Sequence, residues 1–133
     1  MLELARISVT GGGKMAELYS ERCTACRRDS PHVTEAEIAE LHPAVNDWSL
    51  VDESGIPKLD RQFRFQNFVQ ALEFTNALGE LAESEGHHPR LTTEWGRVSV
   101  TWWTHKIRNL HRNDFIMAAK TDQLYAERAP AEG

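Results

Sequence analysis

The amino-acid sequence predicts a single α+β domain in which a four-stranded antiparallel sheet is covered by helices on one face. The chain has 133 residues, a length that suits one domain with one core. Two pairs of short extended segments are each joined by a two-residue turn, as in β-hairpins. Segments with helical periodicity precede, separate and follow these pairs, so the predicted order is αββαββα and the sheet packs against helices.

The first helix and the first hairpin are predicted from capping and from alternation. Thr34 and Glu37 form a capping box that opens a short helix, which Pro43 ends. The extended runs DWSLVDE (47–53) and PKLDRQFRF (57–65) flank the turn residues Ser-Gly. In the second run, apolar residues that would face a core alternate with polar residues that would face solvent: Leu59, Phe63 and Phe65 against Lys58, Asp60 and Arg64.

A longer helix is predicted over residues 68–85. Asn67 can cap its first turn, and Gly86 can supply the left-handed residue that ends it. Eighteen residues give a helix of roughly 27 Å, which is long enough to cross a small sheet. Its predicted apolar face repeats at three-to-four spacing: Phe68, Leu72, Thr75, Leu78 and Ala82.

The second hairpin consists of RLTTE (90–94) and RVSVTWWTH (97–105), joined by Trp95-Gly96. Glycine permits the positive φ that a tight hairpin turn needs. Alternation divides the last run into two faces, with Val98, Val100 and Trp102 on one and Ser99, Thr101, Trp103 and His105 on the other.

The last helix begins near Arg112 to Asp114 and sets the end of the predicted domain. Residues 22–127 are predicted to form this domain, with residues 1–21 as a disordered N-terminal extension and 128–133 as a disordered tail. The apolar residues of the last helix are Phe115, Ile116, Ala119, Leu124 and Tyr125.

Composition narrows the classes of partner. Fifteen basic and twenty acidic residues give a net charge of -5, so we expect no direct nucleic-acid binding. No apolar run approaches the roughly 18 residues of a membrane span, so we expect no membrane association. Two cysteines exclude a disulfide-rich secreted scaffold, and a cytoplasmic location is the default expectation.

Cys23 and Cys26 form a lone C-x-x-C motif. Such a motif can be a redox pair, or half of a zinc site with His32 as a third ligand. A structural zinc site needs four ligands, and a thioredoxin-like site needs a preceding strand that is not predicted here. The favoured interpretation is therefore two reduced thiols near the N-terminus.

Four of the six histidines lie between residues 87 and 111, at the ends of predicted elements. His87 and His88 follow the helix-ending Gly86, and Pro89 restricts His88 to extended backbone angles. Loops held by a rigid scaffold are where reactive groups are usually displayed. His87, His88 and His105 are therefore the candidate catalytic residues, whereas His32 and His42 are interpreted as structural or solvated.

The stretch ESEGHHPRLTTEWGRVSVTWWTHKIRNLHRND (83–114) resembles the signature of the pterin-4a-carbinolamine dehydratases. The resemblance extends over most of the chain, and CTACRRD and NLHRNDFIMAAK are most similar to bacterial members. The matching residues and spacings are Glu83, three residues, His87-His88-Pro89, five residues, Trp95, nine residues, His105, eight residues and Asp114.

This resemblance implies the αββαββα fold and a hydro-lyase activity: the loss of water from 4a-hydroxytetrahydrobiopterin to give the quinonoid dihydropterin. It implies that the pterin is the substrate and that no cofactor or metal is needed. By carry-over, His87 and His105 transfer protons and His88 orients the substrate. In bacteria the activity recycles tetrahydropterin for a phenylalanine hydroxylase, and family members are dimers or tetramers that pair through strand edges.

Further residues can support or line this site. Asp114 can fix the tautomer of an imidazole, but it can equally cap its own helix. Glu83 can hydrogen-bond a histidine or the pterin, or belong to a solvated helix face with its neighbouring glutamates. Trp95 and Trp103 can form an apolar wall for a flat heterocycle, although buried tryptophans are more often core residues.

Two other classes of function remain open on the sequence alone. A metal-dependent hydrolase could use His87, His88, His105 and Asp114 as ligands, but no H-E-x-x-H helix is present. A binding or regulatory module is the second class, because vertebrate relatives in the family also act as coactivators. The complete histidine set favours the enzyme.

Overall fold

A computed structural model describes residues 18–25 and 27–128. It confirms the predicted order αββαββα and the antiparallel α+β class. Short 3₁₀ turns at His42–Val45 and His105–Ile107 follow the first helix and the last strand. The main elements are α1 (Glu35–Leu41), β1 (Ser49–Glu53), β2 (Ile56–Arg64), α2 (Phe68–Glu85), β3 (Arg90–Glu94), β4 (Arg97–Trp102) and α3 (Arg112–Arg128).

The sheet has the strand order β1-β2-β4-β3, and every neighbouring pair is antiparallel. One face of the sheet carries the predicted apolar residues and lies against α2 and α3. On α3, Thr121 accepts a hydrogen bond at Oγ1 from the indole N–H of Trp102 at 3.2 Å, so the helix is tied to the central strand β4. The strand residues that are at most 1% exposed on this face are Leu59, Phe63, Val98, Val100 and Trp102.

Both ends of α2 follow the local rules that the sequence indicates. The Asn67 side chain accepts a hydrogen bond from the backbone N–H of Gln70 at 2.9 Å and so caps the first turn. Gly86 adopts φ 66°, the left-handed conformation that ends helices, and the N–H of His87 then donates to the Ala82 carbonyl at 3.2 Å. His87 is therefore fixed immediately beyond the helix end.

The turn between β3 and β4 depends on Gly96. Its φ is 76°, and a Cβ placed there would lie 3.3 Å from the carbonyl oxygen of Phe65. The two backbones are held close together, because the Phe65 N–H donates to the Gly96 carbonyl at 2.9 Å. A side chain at this position would be both strained and crowded.

The buried face of α2 differs from the predicted one. Phe68 and Leu72 were placed in the core by the sequence, but they are 45% and 42% exposed, and Val69 between them is 62% exposed. The helix instead buries Phe74, whose ring lies 5.2 Å from those of both Phe63 and Phe65. The two possible stripes converge toward the helix C-terminus, and the contact between aromatic rings selects the one that is buried: Ala71, Phe74, Leu78 and Ala82.

Strand β4 ends at Trp102, three residues before its predicted end at His105. Thr104 and Asn109 close a short loop by backbone hydrogen bonds of 2.9 and 3.4 Å in the two directions. This loop contains the 3₁₀ turn, and Arg108 at its end adopts φ 51°. His105 therefore lies on a turn and not on a strand.

The N-terminal boundary of the domain also differs from the prediction. Residues 18–21 belong to the predicted disordered extension, but Leu18 is only 2% exposed in the core, and the Lys120 ammonium donates to the Tyr19 carbonyl at 2.7 Å. Too few apolar residues precede Cys23 for a helical period to be recognised, so only the packing reveals this segment. Residues 1–17 and 129–133 lie outside the described residues, and the prediction of disorder there stays a prediction.

Candidate active site

A cavity of about 210 Å³ opens where the C-terminal end of α2 meets the turn after β4. The helix-ending segment supplies one wall and the turn that starts after β4 supplies the other. Three of the candidate residues from the sequence, all histidines, meet in this cavity. Its lining residues are Gly86, His87, His88, Thr104, His105 and Lys106.

His87 is the most buried of these histidines, with 8% of its surface exposed. Its ring is parallel to the indole of Trp102 within 5°, with 5.7 Å between the ring centres. Its Nε2 lies 2.7 Å from Oδ1 of Asp114. Packing and a hydrogen bond thus both fix the orientation of this imidazole.

Asp114 lies in the first turn of α3 and is fully buried. Its second carboxylate oxygen, Oδ2, accepts hydrogen bonds from the Thr104 hydroxyl at 2.7 Å and from the backbone N–H of His111 at 2.9 Å. The bond to the His111 N–H satisfies the start of the helix, and Oδ1 meets His87. The two roles that the sequence left open for Asp114 are therefore combined in one side chain.

The Asp114 carboxylate determines which ring nitrogen of neutral His87 carries the proton. An ionised carboxylate only accepts hydrogen bonds, so the neutral imidazole must carry its proton on Nε2. Nδ1 of His87 then has a free lone pair that can accept a proton. We infer this tautomer from the hydrogen-bond network.

His105 is held differently. Its ring stacks on Trp103, with 4.4 Å between ring centres and an angle of 10°. The pKa of His105 is lowered, first by partial loss of hydration and next by the neighbouring His87. The neutral form is therefore favoured near neutral pH.

His88 and Glu83 form an exposed pair at the rim of the cavity. Nε2 of His88 lies 2.8 Å from Oε1 of Glu83, and the two side chains are 61% and 80% exposed. Glu83 is therefore an exposed helix residue that also binds a histidine. The predicted solvated face does not extend to its neighbour Glu85, whose side chain is only 6% exposed and pairs with Arg22 and Lys120. The pair can orient a ligand but contributes little to stability.

The two candidate tryptophans lie in different places. Trp103 is half-buried beside the cavity and contacts His105. Trp95 is 72% exposed in the β3–β4 turn, at the end of the hairpin opposite to His87 and His105, and is not among the lining residues. The structure thus does not bring Trp95 to this cavity.

Several residues of the site were not identified from the sequence. Thr104 is 2% exposed and binds Asp114, yet a threonine ten residues before an aspartate gives no recognisable signal. The pKa of His111 is lowered by burial, and this residue was counted in the histidine cluster without a role. Lys58 was predicted to face solvent but is only 5% exposed, because Glu53 of β1 and Trp103 just after β4 contact it.

The cysteine motif is described only in part. The backbone N–H of Cys23 donates to Oε1 of Glu85 at 2.9 Å, and Cys23 packs against the core. Cys26 lies outside the described residues, so the prediction of two reduced thiols stays a prediction.

Residues 18–25 and 27–128 contain neither a cluster of metal-binding side chains nor a membrane-spanning helix. No group of three or more His, Cys, Asp or Glu in this part of the chain is arranged to hold a metal ion. The proposed ligand set of three histidines and Asp114 is thus not gathered around one point. In the same part of the chain, no helix has the length and apolar character to cross a membrane.

Comparisons with known proteins identify similar sequences and a similar structure. The sequence model of the family described as pterin 4 alpha carbinolamine dehydratase matches residues 31–124. Two bacterial relatives bear the name "putative pterin-4-alpha-carbinolamine dehydratase". The one from Gloeobacter violaceus is 59% identical over 83% of this chain and 95% of its own length, and the one from Nitrosococcus oceani is 57% identical over 83% and 97%.

A crystal structure from Brucella melitensis, described as a transcriptional coactivator/pterin dehydratase, has a similar fold. Its TM-score is 0.64 at 30% sequence identity, over 71% of this chain and 98% of that one.

Proposed function

Because the chain belongs to the pterin 4 alpha carbinolamine dehydratase family, we propose that it dehydrates a 4a-hydroxytetrahydropterin to the quinonoid dihydropterin by histidine acid–base catalysis. The observation that carries this proposal is the buried hydrogen bond between His87 and Asp114, 2.7 Å long, at the wall of a cavity that His105 also lines. The pterin is the substrate, and the reaction needs no metal or redox cofactor.

The reaction requires two proton transfers. His87 accepts the N5 proton at Nδ1, and the electron pair of the N5–H bond forms the C4a=N5 double bond. The C4a–O bond breaks, and the leaving hydroxyl takes a proton from His105 and departs as water. A positioned general acid or general base typically raises the reaction rate by about 10²–10⁴-fold.

The surroundings of the two histidines support this division of roles. The Asp114 carboxylate would stabilise the imidazolium that His87 becomes when it accepts a proton. The lowered pKa of His105 reduces the fraction of imidazolium near neutral pH, but it makes that imidazolium a stronger acid toward the leaving hydroxyl. His88, exposed and paired with Glu83, is assigned to substrate orientation.

The test is stopped-flow absorbance of 4a-hydroxytetrahydropterin decay, with the substrate generated in situ by a phenylalanine hydroxylase. Wild-type protein treated with a chelator, and assayed for bound metal by plasma mass spectrometry, should accelerate the decay. His87→Ala should lose most of this acceleration. His42→Gln is a matched control, because the His42 ring bonds the Trp48 carbonyl at 2.6 Å and does not line the cavity. No acceleration by wild-type protein would overturn the proposal.

We further propose that the activity recycles tetrahydropterin for a phenylalanine hydroxylase, in the cytoplasm, and that the chain is a dimer or tetramer. The outer edge of β3 is open in the sheet, and such edges are commonly covered by pairing with another subunit. Light scattering coupled to size exclusion would measure the mass, and a monomer at micromolar concentration would contradict the oligomer.

A binding or regulatory role is the second candidate. The observation that favours it is the apolar surface of Phe68, Val69 and Leu72 on α2, together with the coactivator description of the Brucella melitensis structure. Under this proposal, substitutions in that surface would abolish partner binding while dehydration remained unchanged. Loss of binding in the cavity variant His87→Ala would instead assign the partner to the cavity.

A further inference from the structure

Among the described residues, three side chains with a ring or a positive charge lie against the Trp103 indole beside the cavity. The His105 ring stacks on it at 4.4 Å between ring centres. The Lys58 ammonium lies 3.8 Å from the ring centre, and the Arg90 guanidinium carbon lies at 5.4 Å. Trp103 therefore contacts two cations and an imidazole that faces the cavity, and its contacts with these groups limit the ring surface left for a ligand.

Glu53 holds the two cations in place. Its carboxylate binds the Lys58 ammonium and accepts two hydrogen bonds from the Arg90 guanidinium, at 3.0 and 3.1 Å. The pKa of Glu53 is lowered to about 2, first by Arg90 and then by Lys58, so the carboxylate is ionised at any pH of interest. Since β1 and β3 are the two outer strands, this ion pair crosses the whole sheet next to Trp103.

Lys58 is unusual because it is only 5% exposed. Burying an ammonium is costly unless a carboxylate and further contacts compensate for the lost water. Glu53 supplies the charge, and the face of Trp103 supplies a cation–π contact. The contact between Lys58 and Trp103 thus helps to hold both side chains in position.

His105 and His87 differ in how their rings are oriented. The His87 ring has a hydrogen bond to Asp114, whereas no ring nitrogen of His105 bonds another described residue. His105 also lies on a short 3₁₀ turn in which no residue is buried. Among residues 18–25 and 27–128, the aromatic ring that contacts the His105 imidazole is that of Trp103.

We propose that Trp103 is a positioning residue for His105, and that Glu53, Lys58 and Arg90 hold its indole in the required orientation. The inference rests on the proposed dehydratase function, and it replaces direct stacking of the pterin on Trp103 by an indirect role. A misplacement of about 1 Å in an acid–base group can cost about 10²-fold in rate, so the orientation of this ring decides the rate of proton transfer.

The test compares Trp103→Leu, which removes stacking but keeps an apolar side chain, with Trp103→Phe, which keeps an aromatic face. Trp103→Leu should lower kcat for dehydration about tenfold or more, with KM changed by less than about twofold. Trp103→Phe should stay within about threefold of the wild-type kcat. Thermal unfolding of both variants shows whether each is folded under assay conditions.

A spectroscopic readout separates this inference from the proposed function. Stacking on an indole shifts the His105 ring protons upfield, and the His105→Gln variant identifies these NMR signals. Trp103→Leu should remove the shift and Trp103→Phe should keep part of it, whether or not wild-type protein is active. Lys58→Met, which removes the ammonium but not the stem, should move the same signals and raise the pKa of His105, because Lys58 is one of the charges that lower it.

The other charged groups that act on His105 are His87, His88 and Asp114, and all three are unchanged in these variants. Four results would overturn the inference. In Trp103→Leu these are unmoved His105 NMR signals, a raised KM with wild-type kcat, or fully wild-type kinetics. The fourth is an equal loss of kcat in Trp103→Leu and Trp103→Phe. If Trp103→Leu does not fold, unmoved signals in Lys58→Met overturn it instead. An inactive wild-type protein with the expected NMR changes would refute the dehydratase alone.

Discussion

Replacing Asp114 by asparagine tests the central hydrogen-bond network of the site. The change keeps the size of the side chain but removes its charge. Asparagine can place its carbonyl oxygen where Oδ2 accepts from Thr104 and from the His111 N–H, and its NH₂ group then faces Nε2 of His87. His87 must accept this hydrogen bond, so its proton moves to Nδ1 and the nitrogen assigned as the base becomes a donor.

The expected loss of stability follows from the three hydrogen bonds that Asp114 accepts. A hydrogen bond to a charged group contributes about 1 kcal/mol more than a neutral one. Three such losses amount to about 3 kcal/mol, and removing a buried charge offsets part of this. A net loss of about 1–3 kcal/mol corresponds to a fall in Tm of about 4–11 °C for a chain of this size.

The catalytic rate should be affected more strongly than the free energy of unfolding. We expect Asp114→Asn to lower kcat by about 10²–10⁴, because the tautomer of the base is inverted. Stopped-flow absorbance gives kcat, calorimetry gives Tm, and ¹⁵N chemical shifts give the protonated nitrogen of His87. A variant that keeps the Nε2–H tautomer, or that keeps wild-type kcat with an Nδ1–H tautomer, would refute the reasoning.

Asp122→Asn is the matched control. Asp122 is also largely buried, and its Oδ1 accepts hydrogen bonds from the Trp48 indole at 2.8 Å and from Arg61 at 2.6 Å. Neither of these two partners lines the cavity. This variant should lose stability to a similar degree while its kcat remains that of wild-type protein, and a parallel fall in kcat would show that Asp114→Asn acts through stability alone.

Three further predictions concern pH, the rim and the core. The pKa of His105 in the folded chain lies below its ordinary value of 6.5. At pH values between the folded and the ordinary pKa, the folded chain therefore binds fewer protons than the unfolded chain. Stability should therefore fall as pH decreases from about 6.5, and urea unfolding of His105→Gln at several pH values should show a smaller fall than wild-type protein. His88→Gln should change the free energy of unfolding by less than about 0.5 kcal/mol, since the pair with Glu83 is exposed, and a larger loss would contradict this. Phe74→Ala should cost about 3–5 kcal/mol and Leu72→Ser less than about 0.5, as measured by the same method, and the reverse order would refute the assigned buried face of α2.

Local rules account for the elements that were predicted correctly. Thr34, Asn67 and Gly86 act through bonds and backbone angles within a few residues of themselves, so their roles are visible in sequence. Period-two alternation likewise fixes the buried face of β4, because neighbouring side chains must point to opposite sides of a sheet. The same reasoning failed on α2, where two stripes fit the helical period and the aromatic cluster around Phe74 decided between them.

The histidines of the site were identified from the sequence through their spacing and their resemblance to a family, but their environments were not. The contacts of Asp114 with Thr104, and of Glu53 with Arg90, join residues 10 and 37 positions apart without any periodic pattern. The burial of Lys58 has the same origin, because Glu53 comes from β1 and Trp103 from the segment just after β4.

The sequence alone thus determined the order of elements and the class of fold, because capping, alternation and turn chemistry act over short distances along the chain. It also indicated the histidines that meet at the cavity, through their spacing and the family resemblance. Only the tertiary structure decided which stripe of α2 is buried and which side chains contact His87 and His105. These depend on contacts between segments that are distant in sequence, and the free energies of such contacts depend on packing and burial that no local pattern contains.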